Sequence, residues 1–107
     1  METSPCLARL RAAEARLTQA GAAALLVAPS PDLTYLTGYT PMPTERPTVL
    51  ILVPGRPPAL VVPTLERPLA QAGPVADALE IVDWRDDTDP YPLIEAQLPP
   101  DGRVAVG

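Results

Sequence analysis

Four residue types are absent from this sequence of 107 residues: histidine, lysine, asparagine and phenylalanine. All eight cationic side chains are therefore arginine. Without histidine the chain has no Ser-His or Cys-His relay and no imidazole ligand for zinc. Without lysine it has neither an amine for a Schiff base nor the lysine of a phosphate-binding loop. These absences exclude several mechanisms by which a small domain could catalyse a reaction by itself.

Cysteine and positive charge are scarce as well. Cys6 is the only cysteine, so no internal disulfide can form and a reducing compartment is favoured. The net charge of -5 disfavours a nucleic-acid partner, because proteins that bind the phosphate backbone concentrate basic residues on one face. No segment approaches the roughly 20 apolar residues that span a bilayer, and no basic, apolar leader follows Met1. We therefore expect a soluble cytoplasmic protein that binds neither membrane nor nucleic acid.

Proline is the residue type in clear excess. The chain contains 16 prolines, about three times ordinary usage, and they are scattered, so they separate structural elements instead of building a low-complexity linker. A chain of this length with 47% hydrophobic residues can bury one modest core and is short for two. We expect a single domain spanning 1–107.

Two early stretches carry the start and stop signals of helices. Ser4 and Pro5 suit the N-cap and the first helical position, apolar residues follow at spacings of three and four, and Gly21 suits the C-terminal stop. Residues 30–38 repeat this pattern over a shorter length, from serine and proline to glycine. Each stretch is predicted to form a helix that packs on a sheet.

Two later helices are predicted with less regular starts. Thr64 can cap the first, although Pro68 removes an early backbone hydrogen bond, so its regular part is expected to begin near Arg67. Asp89 and Pro90 suit the N-cap and first position of the second.

Five β-rich runs alternate with these helices. The first is apolar on both faces, which is typical of a central strand, and a turn around Gly55 makes the second and third a hairpin. The order predicts an α/β fold, a mixed five-stranded sheet with flanking helices in which one flank is antiparallel and the other parallel. The runs are 22–28, 48–53, 59–62, 80–84 and 103–107.

An acidic run is the candidate metal site of the chain. It reads "DWRDDTD" and contains Asp83, Asp86, Asp87 and Asp89, and carboxylates are the ligands that calcium and magnesium prefer. The spacing matches no EF-hand loop, and Asp89 is better explained as a helix cap. A solvated loop is therefore favoured, and we predict no metal site in this chain.

Two further side chains are better explained by packing than by chemistry. Cys6 has no histidine to activate it and lies on the apolar stripe of the first helix, so a buried position is favoured over a nucleophile. Trp84 at a strand end is more often a core anchor or an interface residue than a stacking platform. We predict no catalytic residue in the chain.

The segment "YLTGYTPMPTERP" is the candidate binding region. Glu45 and Arg46 are adjacent opposite charges near Tyr35, and the prolines of this segment limit its flexibility. Arginine binds carboxylates in a bidentate geometry, whereas an adjacent acid and base on a surface loop is often only solvated. Spacing alone leaves both interpretations open. The position of the segment after a capped helix, together with its prolines, favours a binding loop over a catalytic centre.

Three pieces of the sequence, in this order, resemble the N-terminal domain of the creatinase and prolidase (Xaa-Pro peptidase) family. They are "YLTGY" after a strand and cap, "PTLE" closing the hairpin, and "DDTDPYPLI" before the last strand, and the resemblance runs from about Leu7 to Val106. It implies the ribonuclease-H-like motif of that domain, followed by a catalytic "pita-bread" domain that is absent from this chain. In the family, that second domain binds two divalent metal ions, commonly manganese, cobalt or zinc, through Asp, His and Glu.

The resemblance also implies a role and a binding site. In the family this domain contributes to dimerisation, and its loops narrow the active site of the neighbouring subunit to short, proline-containing peptides. By that likeness Arg46 binds the carboxylate of a substrate, Glu45 orients Arg46 or meets the substrate amine, and Tyr35 belongs to the same site, all in the full-length homodimer. The isolated chain is expected to be inactive and its parent protein to be a cytoplasmic, metal-dependent Xaa-Pro dipeptidase or aminopeptidase.

Two alternatives stay open. The chain could be a stand-alone dimerisation or binding module, or the N-terminal domain of a creatinase-like amidinohydrolase, which shares the fold. An ending on the strand "RVAVG" favours a domain excised from a longer protein over a module. A receiver-like or flavodoxin-like signalling domain is disfavoured, because the chain lacks both lysine and a glycine-rich phosphate cradle.

Overall fold

The computed structural model describes residues 5–40, 48–85, 88–99, 102 and 104–106. These residues form helices on both faces of one sheet, with two short 3-10 turns between the elements. In chain order the elements are α1 (Pro5–Ala20), β1 (Ala24–Val27), α2 (Pro31–Thr37), β2 (Val49–Leu52), β3 (Ala59–Pro63), a 3-10 turn (Thr64–Glu66), α3 (Arg67–Gln71), a 3-10 turn (Ala76–Ala78), β4 (Glu80–Trp84), α4 (Tyr91–Ala96) and β5 (Val104–Val106).

The two early helices form where their start and stop signals predict. α1 buries Cys6, Leu10 and Leu17, side chains that recur at helical spacing on one face. The Oγ atom of Ser30 accepts a hydrogen bond from the backbone N–H of Leu33 at 3.2 Å and caps α2. The predicted N-cap of α1, at residue 4, lies outside the described residues.

The predicted caps of the two later helices are corrected by the structure. α3 does begin at Arg67, but a 3-10 turn precedes it and the side chain of Thr64 does not cap it. α4 begins at Tyr91 with Pro90 as N-cap, so the predicted cap at Asp89 is one residue too early. The carboxylate of Asp89 still accepts a hydrogen bond from the backbone N–H of Tyr91 at 3.0 Å.

The strand order of the sheet is β4-β3-β2-β1-β5. β1 pairs antiparallel with β2 and β2 antiparallel with β3, whereas β3 pairs parallel with β4 and β1 parallel with β5. The mixed five-stranded sheet is therefore confirmed, but the prediction of one antiparallel and one parallel flank is wrong. Each edge carries a parallel pair, because β4 and β5 take opposite free edges of the antiparallel centre.

Alternate side chains of the strands enter two cores on opposite faces of the sheet. One core lies under α1, α2 and α3 and includes Leu10, Leu33 and Leu60. The other lies under α4 and includes Trp84, which confirms the core-anchor interpretation of that residue. β3 is buried along its whole length, as a strand covered on both faces must be.

None of the helices in the described part of the chain combines the length and the hydrophobicity that crossing a membrane requires.

Candidate functional site

The directions of the strands bring several connections to one edge of the sheet. β1, β3, β4 and β5 run in the same direction and β2 runs against them. The carboxyl ends of these four strands and the start of β2 therefore lie at the same end of the sheet. We call this end of the sheet the carboxyl edge; its described residues include Thr48, Thr64, Glu66, Arg67 and Asp83. In open α/β sheets, ligand sites lie at the carboxyl ends of the strands.

Two of the sequence motifs meet at the carboxyl edge. The hydroxyl of Tyr39, the last residue of "YLTGY", donates a hydrogen bond of 2.7 Å to Oε1 of Glu66, the last residue of "PTLE". Tyr39 is 3% exposed and Glu66 6% exposed. Burial raises the pKa of Tyr39 well above its usual value, and the hydrogen bond and negative charge of Glu66 raise it further. Tyr39 is therefore a neutral hydrogen-bond donor.

The backbone of Tyr39 is held by the end of α2. Its N–H donates to Oγ1 of Thr37 at 3.1 Å, and that hydroxyl in turn donates to the carbonyl oxygen of Leu33 at 2.7 Å. Gly38, between them, adopts φ 72° and its N–H donates to the carbonyl of Thr34, which ends the helix. Local hydrogen bonds thus set the direction in which the chain leaves α2.

Gly38 is also required by packing. A methyl group placed there would lie 2.4 Å from Cγ of Pro74 and 3.4 Å from the sulfur of Cys6, so the end of α2 fits closely against α1 and against the connection after α3. Cys6 is itself 8% exposed, which confirms that it is buried.

A polar cluster joins the start of α3 to β4. The guanidinium of Arg67 forms an ion pair with Asp83, and the side chains are 42% and 24% exposed. The Thr64 hydroxyl lies 2.8 Å from Oδ2 of Asp83 and 2.9 Å from the carbonyl oxygen of Trp84, two acceptors that share its one proton. The hydrogen bond from Thr64, followed by that from Arg67, holds the pKa of Asp83 below its usual range.

Tyr35 lies on α2 and contacts α1. Its side chain is 56% exposed, with Cζ of Arg9 4.0 Å from the ring centroid. Arg9 also donates a hydrogen bond of 3.0 Å to the Tyr35 carbonyl oxygen. The cation-π contact and the hydrogen bond give Tyr35 a clear part in joining the two helices.

Arg9 and Tyr35 also line a groove between α1 and the edge strand β5. The groove has a volume of about 580 Å³ and is lined chiefly by small apolar side chains, with Arg9, Arg16 and Tyr35 as its larger polar members. Val106 of β5 is 79% exposed.

Of the three predicted binding residues, the structure describes Tyr35 alone. Glu45 and Arg46 lie outside the described residues, as do Asp86 and Asp87 of the acidic run. The assignment of Arg46, Glu45 and Tyr35 to a substrate therefore stays a prediction. Thr48, the first described residue after 41–47, directly precedes β2 and lies at the carboxyl edge.

Sequence reasoning missed the contact between Tyr39 and Glu66 and the cluster around Asp83. The available signal was Glu66, an ionisable residue three residues after a strand that is apolar throughout, because a buried carboxylate needs a hydrogen-bond partner. No sequence pattern identifies Tyr39 as that partner, since 27 residues separate the two.

The metal ions that the family resemblance implies are expected in a second domain. Within 5–40, 48–85 and the shorter described stretches after them, no group of three or more His, Cys, Asp or Glu side chains could hold a metal ion. Asp83 is already bound to Thr64 and Arg67.

Known proteins resemble this chain along most of its length. The creatinase/prolidase N-terminal domain family matches residues 9–107. A probable dipeptidase PepE of Mycobacterium bovis is 41% identical over 91 residues, which is 84% of this chain and 24% of that protein.

Solved structures agree with the match. Dipeptidase PepE from Mycobacterium ulcerans has a TM-score of 0.81 and 36% identity, covering 90% of this chain and 26% of that one. A proline dipeptidase structure from Streptococcus pneumoniae has a TM-score of 0.79 and 28% identity, covering 92% of this chain and 72% of that one. The chain thus spans about a quarter of the length of the PepE proteins. With residues 9–107 matched and the fold shared, the chain belongs to the creatinase/prolidase N-terminal domain family.

Proposed function

We propose that this chain is the non-catalytic N-terminal domain, spanning 1–107, of a longer cytoplasmic Xaa-Pro dipeptidase or aminopeptidase. The observation that carries the proposal is the match to dipeptidase relatives four times as long, of which this chain covers 24% and 26%. The two divalent metal ions of such an enzyme would be bound outside this chain, since the chain has no histidine and its described carboxylates form no site.

In this proposal the domain contributes to dimerisation and restricts access to the active site of the neighbouring subunit. Arg46 binds the carboxylate of a short, proline-containing peptide, because a guanidinium pairs with a carboxylate in a bidentate geometry. Glu45 orients Arg46 or meets the substrate amine, and Tyr35 contributes to the same site. Thr48 supports this arrangement, since it joins the segment carrying both charges to the carboxyl edge, where ligands of α/β sheets bind.

Kinetics of the longer protein test the proposal. Arg46→Ala is expected to raise the KM for an Xaa-Pro dipeptide by about tenfold or more, because a charged hydrogen bond contributes about 1.5–3 kcal/mol. Arg56→Ala is the matched control, since Arg56 is exposed in the β2–β3 turn at the opposite edge of the sheet, and it should change neither kcat nor KM.

Three results would contradict parts of this proposal. Unchanged kcat and KM in Arg46→Ala would remove Arg46 from the site. Hydrolysis of a creatine-like substrate, with none of Xaa-Pro dipeptides, would assign the longer protein to the amidinohydrolases. A longer protein that sediments as a monomer while fully active would exclude a site shared between subunits.

A further inference from the structure

We propose that Tyr39 and Glu66 are a pair of positioning residues: their hydrogen bond fixes the point from which the chain runs on towards Thr48, and thereby supports peptide binding. The second half of this inference rests on the proposed function, whereas the first half does not. Neither residue contacts substrate in this proposal.

The first argument is where the pair lies. Tyr39 is the second residue after α2 and lies just before the segment 41–47, which ends at the buried Thr48. Glu66 lies in the connection between β3 and α3, at the carboxyl edge that Thr48 also occupies. The hydrogen bond of 2.7 Å therefore ties the start of this segment to the edge at which it ends.

The second argument is energetic. Burying a carboxylate costs free energy that its interactions must offset, so two apolar side chains would join these elements at lower cost. Glu66 is 6% exposed even so. A buried hydrogen-bond acceptor fixes the orientation of its donor, whereas apolar contacts tolerate several orientations. A segment that binds a ligand requires such a directional contact to hold it in place.

The third argument is that the backbone and the side chain of Tyr39 are held by different groups. The Thr37 hydroxyl accepts from the N–H of Tyr39 at 3.1 Å, and Gly38 turns the chain with φ 72°. With the backbone set by α2 and the ring set by Glu66, residue 39 is held at two points, and the chain that follows it has a defined origin.

Hydrogen exchange of the 107-residue chain tests the structural half without any enzymatic assay. Tyr39→Phe removes one oxygen atom and should accelerate exchange of the Tyr39 backbone amide, which is bonded to Thr37, by about fivefold or more, because a buried hydrogen bond contributes about 1 kcal/mol or more. Amides of α4, a short and largely exposed helix on the other face of the sheet, open locally without breaking this bond and should change by less than about threefold. Equal acceleration throughout would show a merely global loss of stability, and no acceleration would show that the bond positions nothing; both overturn the proposal.

Kinetics of the longer protein test the functional half. Tyr39→Phe should raise the KM for an Xaa-Pro dipeptide by about three- to tenfold and leave kcat within about twofold, since it misplaces binding residues and not the reacting groups. Tyr91→Phe, the same change at a residue that is 61% exposed on α4, should alter neither constant. A fall in kcat with KM unchanged would overturn the positioning role.

A double-mutant cycle distinguishes the hydrogen bond from other effects of the two residues. In a Glu66→Leu background Tyr39 has lost its acceptor, so adding Tyr39→Phe should change KM by less than about twofold. The same increase in both backgrounds would overturn the pair. A longer wild-type protein without activity on Xaa-Pro dipeptides would refute both the proposed function and the support of peptide binding. The exchange experiment would still decide whether the pair holds the chain at Tyr39.

Discussion

Arg67 and Asp83 form an ion pair that joins the first residue of α3 to the next-to-last residue of β4. The Thr64 hydroxyl contacts the same carboxylate, so three polar side chains hold the connection after β3 against the neighbouring parallel strand. This cluster and the pair of Tyr39 with Glu66 lie side by side at the carboxyl edge. Together they determine how the connections at that edge are arranged.

The Asp83 carboxylate makes the stability of the chain depend on pH. Its pKa is lowered in the folded state, so its contribution is present above the unfolded pKa of about 3.9 and is lost as the pH falls through the folded pKa. Asp83→Asn should therefore lower the free energy of unfolding at about pH 7, by at most about 1 kcal/mol for a partly exposed pair. The difference from wild type should shrink below about pH 4.

Urea unfolding at several pH values measures this effect. Glu95→Gln, at an exposed position on α4, controls for the loss of one negative charge. An Asp83→Asn deficit that is the same at neutral and at acidic pH would mean that the carboxylate charge contributes nothing.

Thr64→Val should destabilise the fold by about 1 kcal/mol, because it leaves the carbonyl oxygen of Trp84 and one oxygen of Asp83 without this donor. Chemical denaturation gives the value directly. Thr18→Val is the control: Thr18 lies exposed on α1 and donates to the carbonyl oxygen of Glu14 at 3.2 Å, a bond that water can replace. Equal losses in the two variants would show that the contact with β4 is unimportant.

Gly38→Ala and Gly21→Ala separate backbone strain from steric overlap. Both glycines have φ near 70°, at 72° and 71°, where a residue with Cβ costs about 1–2 kcal/mol. A Cβ atom at Gly21 would meet nothing within 4 Å, whereas one at Gly38 would lie 2.4 Å from Cγ of Pro74. Gly38→Ala should therefore lose about 1–3 kcal/mol more than Gly21→Ala.

Thermal or urea unfolding of both glycine variants measures this difference in the free energy of unfolding. Replacing Pro74 by alanine in the Gly38→Ala background should recover part of the loss, since it removes the clashing ring atoms. Similar losses at both glycines would show that the end of α2 can shift without cost.

Leu60→Ala should lower the free energy of unfolding by about 2–5 kcal/mol, because Leu60 is fully buried in the middle of the sheet and its removal leaves a cavity. Leu65→Ala, five residues later, should change it by less than about 0.5 kcal/mol, since Leu65 is 76% exposed. A large loss for Leu65→Ala in the 107-residue chain would reveal packing of Leu65 that the structure lacks.

Much of the local structure could be predicted from sequence, because helix and strand boundaries depend on neighbouring residues. Ser30 with Pro31 and the glycine at 38 marked α2, and the extent of β4 was predicted to the residue. The errors at Thr64 and Asp89 have a shared cause. The side chain of each residue can form hydrogen bonds with backbone groups nearby in sequence or with groups on a neighbouring strand. Helix propensity alone does not predict which of these bonds forms.

The candidate site was predictable only in part. The sequence directed attention to the segment from Tyr35 onwards and to "PTLE", and the structure shows that Tyr39 and Glu66 join these two motifs. That contact spans the hairpin and could not be inferred from spacing. Arg9 stacking on Tyr35 was missed for the same reason.

The sequence by itself determined where most of the helices and strands form, which face of α1 is apolar, and that histidine and lysine are absent, since these follow from composition and short-range pattern. The tertiary structure alone decided that β4 and β5 occupy opposite edges of the sheet, and that Thr64, Glu66, Arg67 and Asp83 meet at one of its ends. The reason is physical: local propensities act over a few residues, whereas the choice of a free strand edge and of a partner for a buried carboxylate depends on groups brought together only when the whole core is packed.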